Sequence, residues 1–173
     1  AQLYFRAGNY GKALQVGMAA AAGLHAAQIA QGGARVPLNA VAGGPAGFEE
    51  VFGAAWQPHD EADPAVNQNW IKAYPCCLQT HGAIDCALYA GAAPDGPITV
   101  LAHPVSRQAA GYDDVATTLE AKFSNPYTTA HTLLHGAPRV ESFAALDEDV
   151  RALAKRITVE TDPALAESEF RLL

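Results

Sequence analysis

The stretch Trp70-Ile-Lys-Ala-Tyr-Pro-Cys-Cys-Leu-Gln-Thr-His-Gly-Ala-Ile-Asp-Cys-Ala-Leu-Tyr89 organises the reading of this chain. It reads as a strand-like segment over 69–74, a turn at Tyr74-Pro75 and a helix from about Leu78 to Ala90. Lys72 stands before the turn and His81 in the first turns of the helix. A cation, an imidazole and the N–H groups of a helix start aimed at one place suit an anionic ligand. Along the helix, Cys77, Ile84 and Leu88 share the apolar side.

The bulk composition sets limits around that stretch. The chain has 173 residues, enough for one domain or for one domain and part of another. Half of the residues are hydrophobic, enough for a sizeable core, and the charged fraction of 17% argues against a disordered chain. A net charge of −7 argues against a nucleic-acid partner, which needs clustered Lys and Arg. An anionic metabolite remains open to it through a local basic pocket. Cys76, Cys77 and Cys86 are an odd set with two adjacent, not a disulfide framework, so a reducing cytoplasm is the expected location. No apolar run approaches the length needed to span a bilayer and no signal peptide is visible, so no membrane partner is expected. The chain opens without Met and stops at Arg171-Leu-Leu173 without a closing motif, which reads as a piece of a longer polypeptide.

Working outward, residues 1–11 read as loop-like towards their end. Lys12 to Gln31 read as a helix with eight alanines. Ala20, Gly23, Ala27 and Ala30 make a smooth small-residue face, with Leu14, Met18 and Ile29 beside it, as in a buried helix that needs neighbours. Gly32-Gly33 ends it. Residues 34–44 connect to Gly43-Gly44-Pro45, and 46–53 form a short amphipathic helix with Phe48, Val51 and Phe52 on the buried side. The polar, Pro-containing segment 57–68 is the best domain boundary. Beyond the opening stretch, 97–103 alternates and reads as a strand, and 104–115 as loop. Residues 114–123 stay open between strand and irregular structure. Asn125-Pro126 starts a helix that Gly136 closes. Asp147 caps another that runs to Lys155. Arg156 to Glu160 is a short strand. The order from 69 on is β-α-β-α-α-β, an α+β or α/β layer.

Several residues have two readings. Lys12 opens a helix where the dipole does not favour a cation, so a solvated lysine competes with a functional one. Lys72 competes in the same way with a lysine on the wet face of a strand. His81 is either a hydrogen-bonded packing residue or an acid/base group. Cys76, Cys77, His81 and Cys86 invite zinc, but the spacing lacks a second ligand pair, and buried thiols explain it better. His131 and His135 stand i, i+4 without the intervening Glu of a zinc protease, and read as structural or half-exposed.

Three stretches together resemble the MmgE/PrpD family, which includes 2-methylcitrate dehydratase, cis-aconitate decarboxylase and iminodisuccinate epimerase. Lys12 to Ala30, followed by Gly47-Phe48, resembles its Lys-x4-Gly-x-Ala-Ala-x2-Gly helix. Lys72 to Asp85 is similar to its Lys-x-Tyr/Phe-Pro segment with a following His. Glu120 to Gly136 resembles its Lys-Phe-Ser-x-Pro-Tyr-x2-Ala segment. The resemblance implies an α+β chain. Residues 1–60 would be the end of an all-helical domain, and 61–173 a smaller α/β lid domain, incomplete at its C-terminal end.

It also implies roles. Lys12 and Lys72 would neutralise substrate carboxylates, Tyr127 would donate a hydrogen bond or handle a proton, and His81 would sit beside them; Tyr127, His81 and Lys72 are the catalytic candidates. The reaction would be a lyase's or an epimerase's, made by proton chemistry α to a carboxylate of a small polycarboxylate, with no cofactor and no metal. Lys12, Lys72 and Tyr127 would point into one cleft. Gln15 stands where several members have His, and the segment around Tyr127 differs from that of the dehydratase, which points away from 2-methylcitrate. The missing helical domain, or a partner chain that supplies it, would complete the site, and a homo-oligomer such as a dimer is expected. This fragment alone would then be inactive. The alternative is a non-catalytic remnant or assembly module that needs a partner chain.

Overall fold

The structure is a computed structural model that describes residues 10–37, 47–53, 65–69 and 71–173. Contacts divide the chain into two units, Ala1–Leu14 with Lys72–Leu173, and Gln15–Ile71. Residues 1–9 of the expected N-terminal loop, residues 38–44 of the expected connector at 34–44, most of the expected boundary at 57–68, and Trp70 lie outside the described residues.

In the larger unit, β1 (Ile98–Ala102) is the centre of a three-stranded mixed sheet ordered β2-β1-β3. Strand β2 (Ile157–Thr161) pairs with it in parallel, Ile98 opposite Ile157. Strand β3 (Phe170–Leu172) pairs antiparallel, Ala102 opposite Phe170. The alternation seen at 97–103 is real burial: Ile98, Val100 and Ala102 are fully buried, and Thr99 and Leu101 half-buried on the other face. Helix α3 (His81–Ala90) packs on β3, and α6 (Asn125–His135) packs on α3, β2 and α7 (Glu148–Ala154). One hydrophobic core joins Ile84, Ile98, Val100, Tyr127 and Val150. Each aliphatic side chain so buried contributes about 1.5–3 kcal/mol.

The helix starts follow side-chain chemistry. Ser124 accepts from Tyr127 N–H to cap α6, with Pro126 in its first turn, and Gly136 (φ 81°) ends it. Asp147 caps α7 by accepting from the Asp149 and Val150 N–H groups. Both starts match the sequence expectation.

Several expectations are corrected, and one strand was not anticipated. The segment leading to Tyr74 is not a strand: residues 73–76 bend, and Cys76 N–H donates back to Tyr74 O at 2.9 Å. The supposed loop at 104–115 begins with helix α4 (Pro104–Ala109), because His103 caps it by accepting from Val105 N–H. Residues 114–123 contain α5 (Thr118–Ala121), started by a capping box between Thr117 and Glu120. Strand β3 has three residues, too few for a periodic signal. Leu88 is 41% exposed, and Ala83, Ile84 and Ala87 form the buried side of α3 instead.

The smaller unit contributes most of α1 (Gly11–Gln31) and all of α2 (Phe48–Phe52). Helix α1 closes as expected, with Gly33 at φ 94° and Ala34 N–H donating to Ile29 O. It is read from the sequence as a helix that needs neighbours this chain can hardly supply, and none of its residues is buried here: Leu14, Val16, Met18, Leu24 and Ile29 are all exposed. The same holds for Phe48, Val51 and Phe52 on α2. Nothing among the described residues covers these faces. At 21 residues and a mean hydropathy of 1.2, α1 is long and apolar enough to cross a membrane by length and composition, which corrects the expectation that nothing approached that length. A helix inside a bundle meets the same two criteria, so they do not choose between the settings.

Candidate functional site

The turn between Lys72 and His81 is built by its own polar groups and braced by two neighbouring segments. Lys72 Nζ reaches forward and donates to Cys76 O at 2.7 Å. Thr80 Oγ1 donates to Cys77 O at 2.8 Å and lies 3.1 Å from Cys76 Sγ, which tightens the turn ahead of α3. From outside, Cys77 N–H donates to Lys122 O, and Ser106 Oγ donates to Gln79 O. Asn125, fully buried at the start of α6, donates to Ser106 Oγ. The turn is therefore fixed by α4 and by the segment from Lys122 to Asn125, both distant in sequence. His81 opens α3, beside the positive end of that helix.

The electrostatics favour a neutral imidazole beside a cation. Burial lowers the pKa of His81 below its ordinary value of 6.5, and the Lys72 ammonium lowers it further. Backbone groups at Tyr74 and Cys76 and the Asp85 carboxylate pull the other way without prevailing. His81 Nε2 is buried without a hydrogen-bond partner among the described residues. Tyr74 is pushed up to about 12 by burial and by its hydrogen bond to Asp85, so it remains a donor. Burial pushes the Cys76 thiol up to about 11, although Thr80, Lys72 and Lys122 draw it down. A protonated thiol is a poor nucleophile.

Of the residues singled out from sequence, the structure brings Lys72 and His81 together. Lys12 lies with its Nζ 5.6 Å from the centre of the Phe123 ring, and Phe123 packs against Cys77, Ala109 and Ala110. Tyr127 is in the core, 1% exposed, and its hydroxyl accepts from Asp147 N–H at 3.1 Å. Among the described residues, no hydrogen bond or ion pair joins Tyr127 to Lys12, Lys72 or His81. A shallow groove along the second half of α3 is lined by Asp85, Cys86, Tyr89, Ala90 and Leu172, none of them an expected site residue.

The cysteines behave as packing. Cys76 turns to Thr80, Cys77 Sγ to Ala109 O, and Cys86 Sγ to Phe170 O, so the three thiols face different partners. Among the described residues no group of His, Cys, Asp or Glu could hold a metal ion. His131 is buried and His135 is exposed and paired with Asp147, in line with the structural reading of both.

Three neighbours of the site were passed over in the sequence. Tyr74 donates to Asp85 at 2.6 Å and meets the His81 ring edge to face. The i, i+4 spacing of His81 and Asp85 signals their shared helix face. Lys122 acts electrostatically on Cys76, and its Nζ lies 5.5 Å from the centre of the Phe143 ring. Its place before Phe123-Ser124 was visible, but no local pattern points a lysine across to another loop.

The family model of the MmgE/PrpD C-terminal domain matches residues 74–171, more than half of the 173. No curated protein matches the chain. The matched stretch runs from within the turn through β1 and β2 into β3 and contains Tyr74, His81, Asp85, Lys122 and Tyr127; Lys12 and Lys72 precede it. The helices and small sheet just described are those of an α+β domain, and the chain belongs to the MmgE/PrpD family, with 74–171 as its C-terminal domain.

Proposed function

We propose that this chain contributes part of the active site of a lyase or isomerase that acts on a small polycarboxylate, of the kind represented by 2-methylcitrate, cis-aconitate or iminodisuccinate. The observation that carries the reading is that an exposed ammonium, Lys72, and a half-buried imidazole, His81, flank one turn, close enough for the ammonium to help lower the imidazole's pKa. Dehydration, decarboxylation and epimerisation in this family all make or discharge a carbanion α to a carboxylate. A cation on that carboxylate stabilises the charge that develops, and a neutral imidazole can take or return a proton. Lys72 is the first carboxylate contact in this reading and Lys12 the second. Tyr127 is assigned a hydrogen-bonding role by the family resemblance, and its buried hydroxyl makes it a support for the site rather than a freely presented donor. The reaction needs no cofactor.

The site is completed by a helical domain or a partner chain, in a homo-oligomer. The three free cysteines suit a reducing cytoplasm. Residues 1–60 are read as the end of the helical domain and 61–173 as the lid. The test is turnover of 2-methylcitrate, cis-aconitate and iminodisuccinate by the full-length protein, with Lys72→Met as control. Loss of water, loss of carbon dioxide and inversion at constant mass separate the three reactions. Turnover of any one that falls at least a hundredfold in the variant supports the reading; turnover unaffected by Lys72→Met overturns the assignment of Lys72.

One observation favours a second reading, an assembly module without catalysis. Every large apolar residue of α1 is exposed, as on a surface awaiting a partner. Native mass spectrometry tests it. A stable complex with a second chain and no turnover of any of the three polycarboxylates would favour it over the enzyme.

A further inference from the structure

Tyr74 and Asp85 make contacts around His81 that the substrate reading leaves without a purpose. Tyr74 Oη donates to Asp85 Oδ1 at 2.6 Å. The Tyr74 and His81 rings meet edge to face, with centroids 5.0 Å apart and planes inclined by 73°. His81 and Asp85 are i and i+4 on α3, so they lie one above the other on the same face. Tyr74 therefore lies across the first turn of α3, tied by its hydroxyl to the carboxylate and set by its ring against the imidazole. His81 Nε2 has no hydrogen-bond partner among the described residues, so the Tyr74 ring contact orients the group together with the backbone groups of Tyr74 and Cys76 that hydrogen-bond it.

We propose that Tyr74 and Asp85 are positioning residues that set the orientation of His81 for proton chemistry on the polycarboxylate. The inference rests on the assignment of His81 to the active site. The charged groups that act on His81 are Lys72, from the turn, and Asp85, from its own helix. Helix α6 and strand β3 also pack on α3 and add no charge that acts on it; β3 sets the Phe170 ring against Gly82. Lys72 disfavours the imidazolium and Asp85 favours it, so the tie between Tyr74 and Asp85 also governs how much of the carboxylate's charge His81 feels. With its hydroxyl bonded to the carboxylate, Tyr74 spreads that charge and keeps Asp85 from turning to the imidazole.

Two variants of the full-length protein test this, read by the NMR titration of the His81 ring protons and by steady-state kinetics on the three polycarboxylates. Tyr74→Phe keeps the ring and leaves Asp85 without its donor, so the His81 titration moves up. Asp85→Asn keeps an acceptor for the tyrosine and loses the charge, so the titration moves down. In both, kcat falls about tenfold with KM within about twofold, and the acid limb of the pH profile follows the titration. A packing role alone would not move the two titrations in opposite directions. An unmoved His81 titration in both variants overturns the proposal, whatever the activity. Should Tyr74→Phe fail to fold, an unmoved titration in Asp85→Asn is enough to overturn it. Opposite shifts in a protein that turns over none of the three substrates would sink the substrate reading and with it the catalytic purpose of the pair.

Discussion

Replacing Gly82 with alanine adds one carbon where α3 meets β3, directly after His81. The new Cβ would stand 2.1 Å from Phe170 Cδ2, 2.8 Å from Cγ and 2.9 Å from Cε2. Gly82 has an ordinary helical backbone, so alanine itself is unstrained and gains about 0.8–1 kcal/mol of helix propensity. Against that stands overpacking, about 1–3 kcal/mol. The upper part of that range applies, because contact includes the ring carbon next to Cβ and the whole ring must move. Phe170 is held by the pairing of β3 with β1 and by Cys86 Sγ, which donates to Phe170 O.

The net expectation is a loss of about 1–2 kcal/mol. Urea denaturation followed by circular dichroism, with a slope of about 2 kcal/mol/M, would register a midpoint lowered by about 0.5–1 M. Phe170→Ala makes room for the methyl group, so the double variant should be less destabilised than the two single effects added together. A Gly82→Ala protein as stable as the wild type, or more stable, would refute the docking of Phe170 over α3. It would also remove β3 as a support for the helix start that carries His81.

Other measurements probe the site and its frame. Tyr127→Phe removes the acceptor of Asp147 N–H at the start of α7 and should cost about 1 kcal/mol in thermal or urea denaturation; unchanged stability with a large loss of kcat would instead put the hydroxyl in contact with substrate. Burial lowers the pKa values of His131 and His81, so the unfolded chain takes up protons near pH 6.5 before the folded one does; stability should fall as pH drops through that value, and less steeply in His131→Phe, as followed by denaturation midpoints across pH. Asp147, held below its ordinary 3.8 first by the Val150 N–H, adds a second loss at lower pH as its carboxylate is protonated. Iodoacetamide on the native protein should label Cys86 ahead of the buried Cys76 and Cys77; rapid labelling of Cys76 would contradict its buried, protonated state.

What was legible in the sequence was local chemistry. Ser124-Asn125-Pro126 and Asp147 carry their helix starts within a few residues, and Ile98-Thr-Val-Leu-Ala102 carries its strand in its own alternation. What was not legible depended on partners far along the chain. Tyr74-Pro75 looked like the end of a strand because nothing local says that Lys122 O takes Cys77 N–H. Strand β3 exists only because β1 offers it an edge. The pairing of Lys72 with His81 followed from nearness in sequence, whereas Tyr127 was legible as a residue of interest and not as one whose hydroxyl bonds a backbone N–H twenty positions on. Helix α1 was legible as a helix with a small-residue face, a local feature, but its burial needs a second surface that no local pattern describes.

The partners of the lysines give the anion reading its physical footing. The chain carries a net charge of −7, so carboxylates are in excess and a cation can find one. Arg107, Arg151, Arg171 and His135 do so, pairing with Asp113, Asp114, Glu148, Glu169 and Asp147. Lys12, Lys72 and Lys122 pair with no carboxylate among the described residues. One lies near the Phe123 ring, one donates to the Cys76 carbonyl, and one lies near the Phe143 ring. These are neutral partners. A hydrogen bond with an ionised partner is roughly twice as strong as one between neutral groups, so the Lys72 bond to Cys76 O is itself charge-assisted, whereas an exposed cation–π contact holds only about 0.5–1 kcal/mol. An incoming carboxylate can therefore take Lys12 and Lys122 from their rings with little lost. Carboxylates of the protein placed beside these lysines would have to be displaced first, and none pairs with them among the described residues.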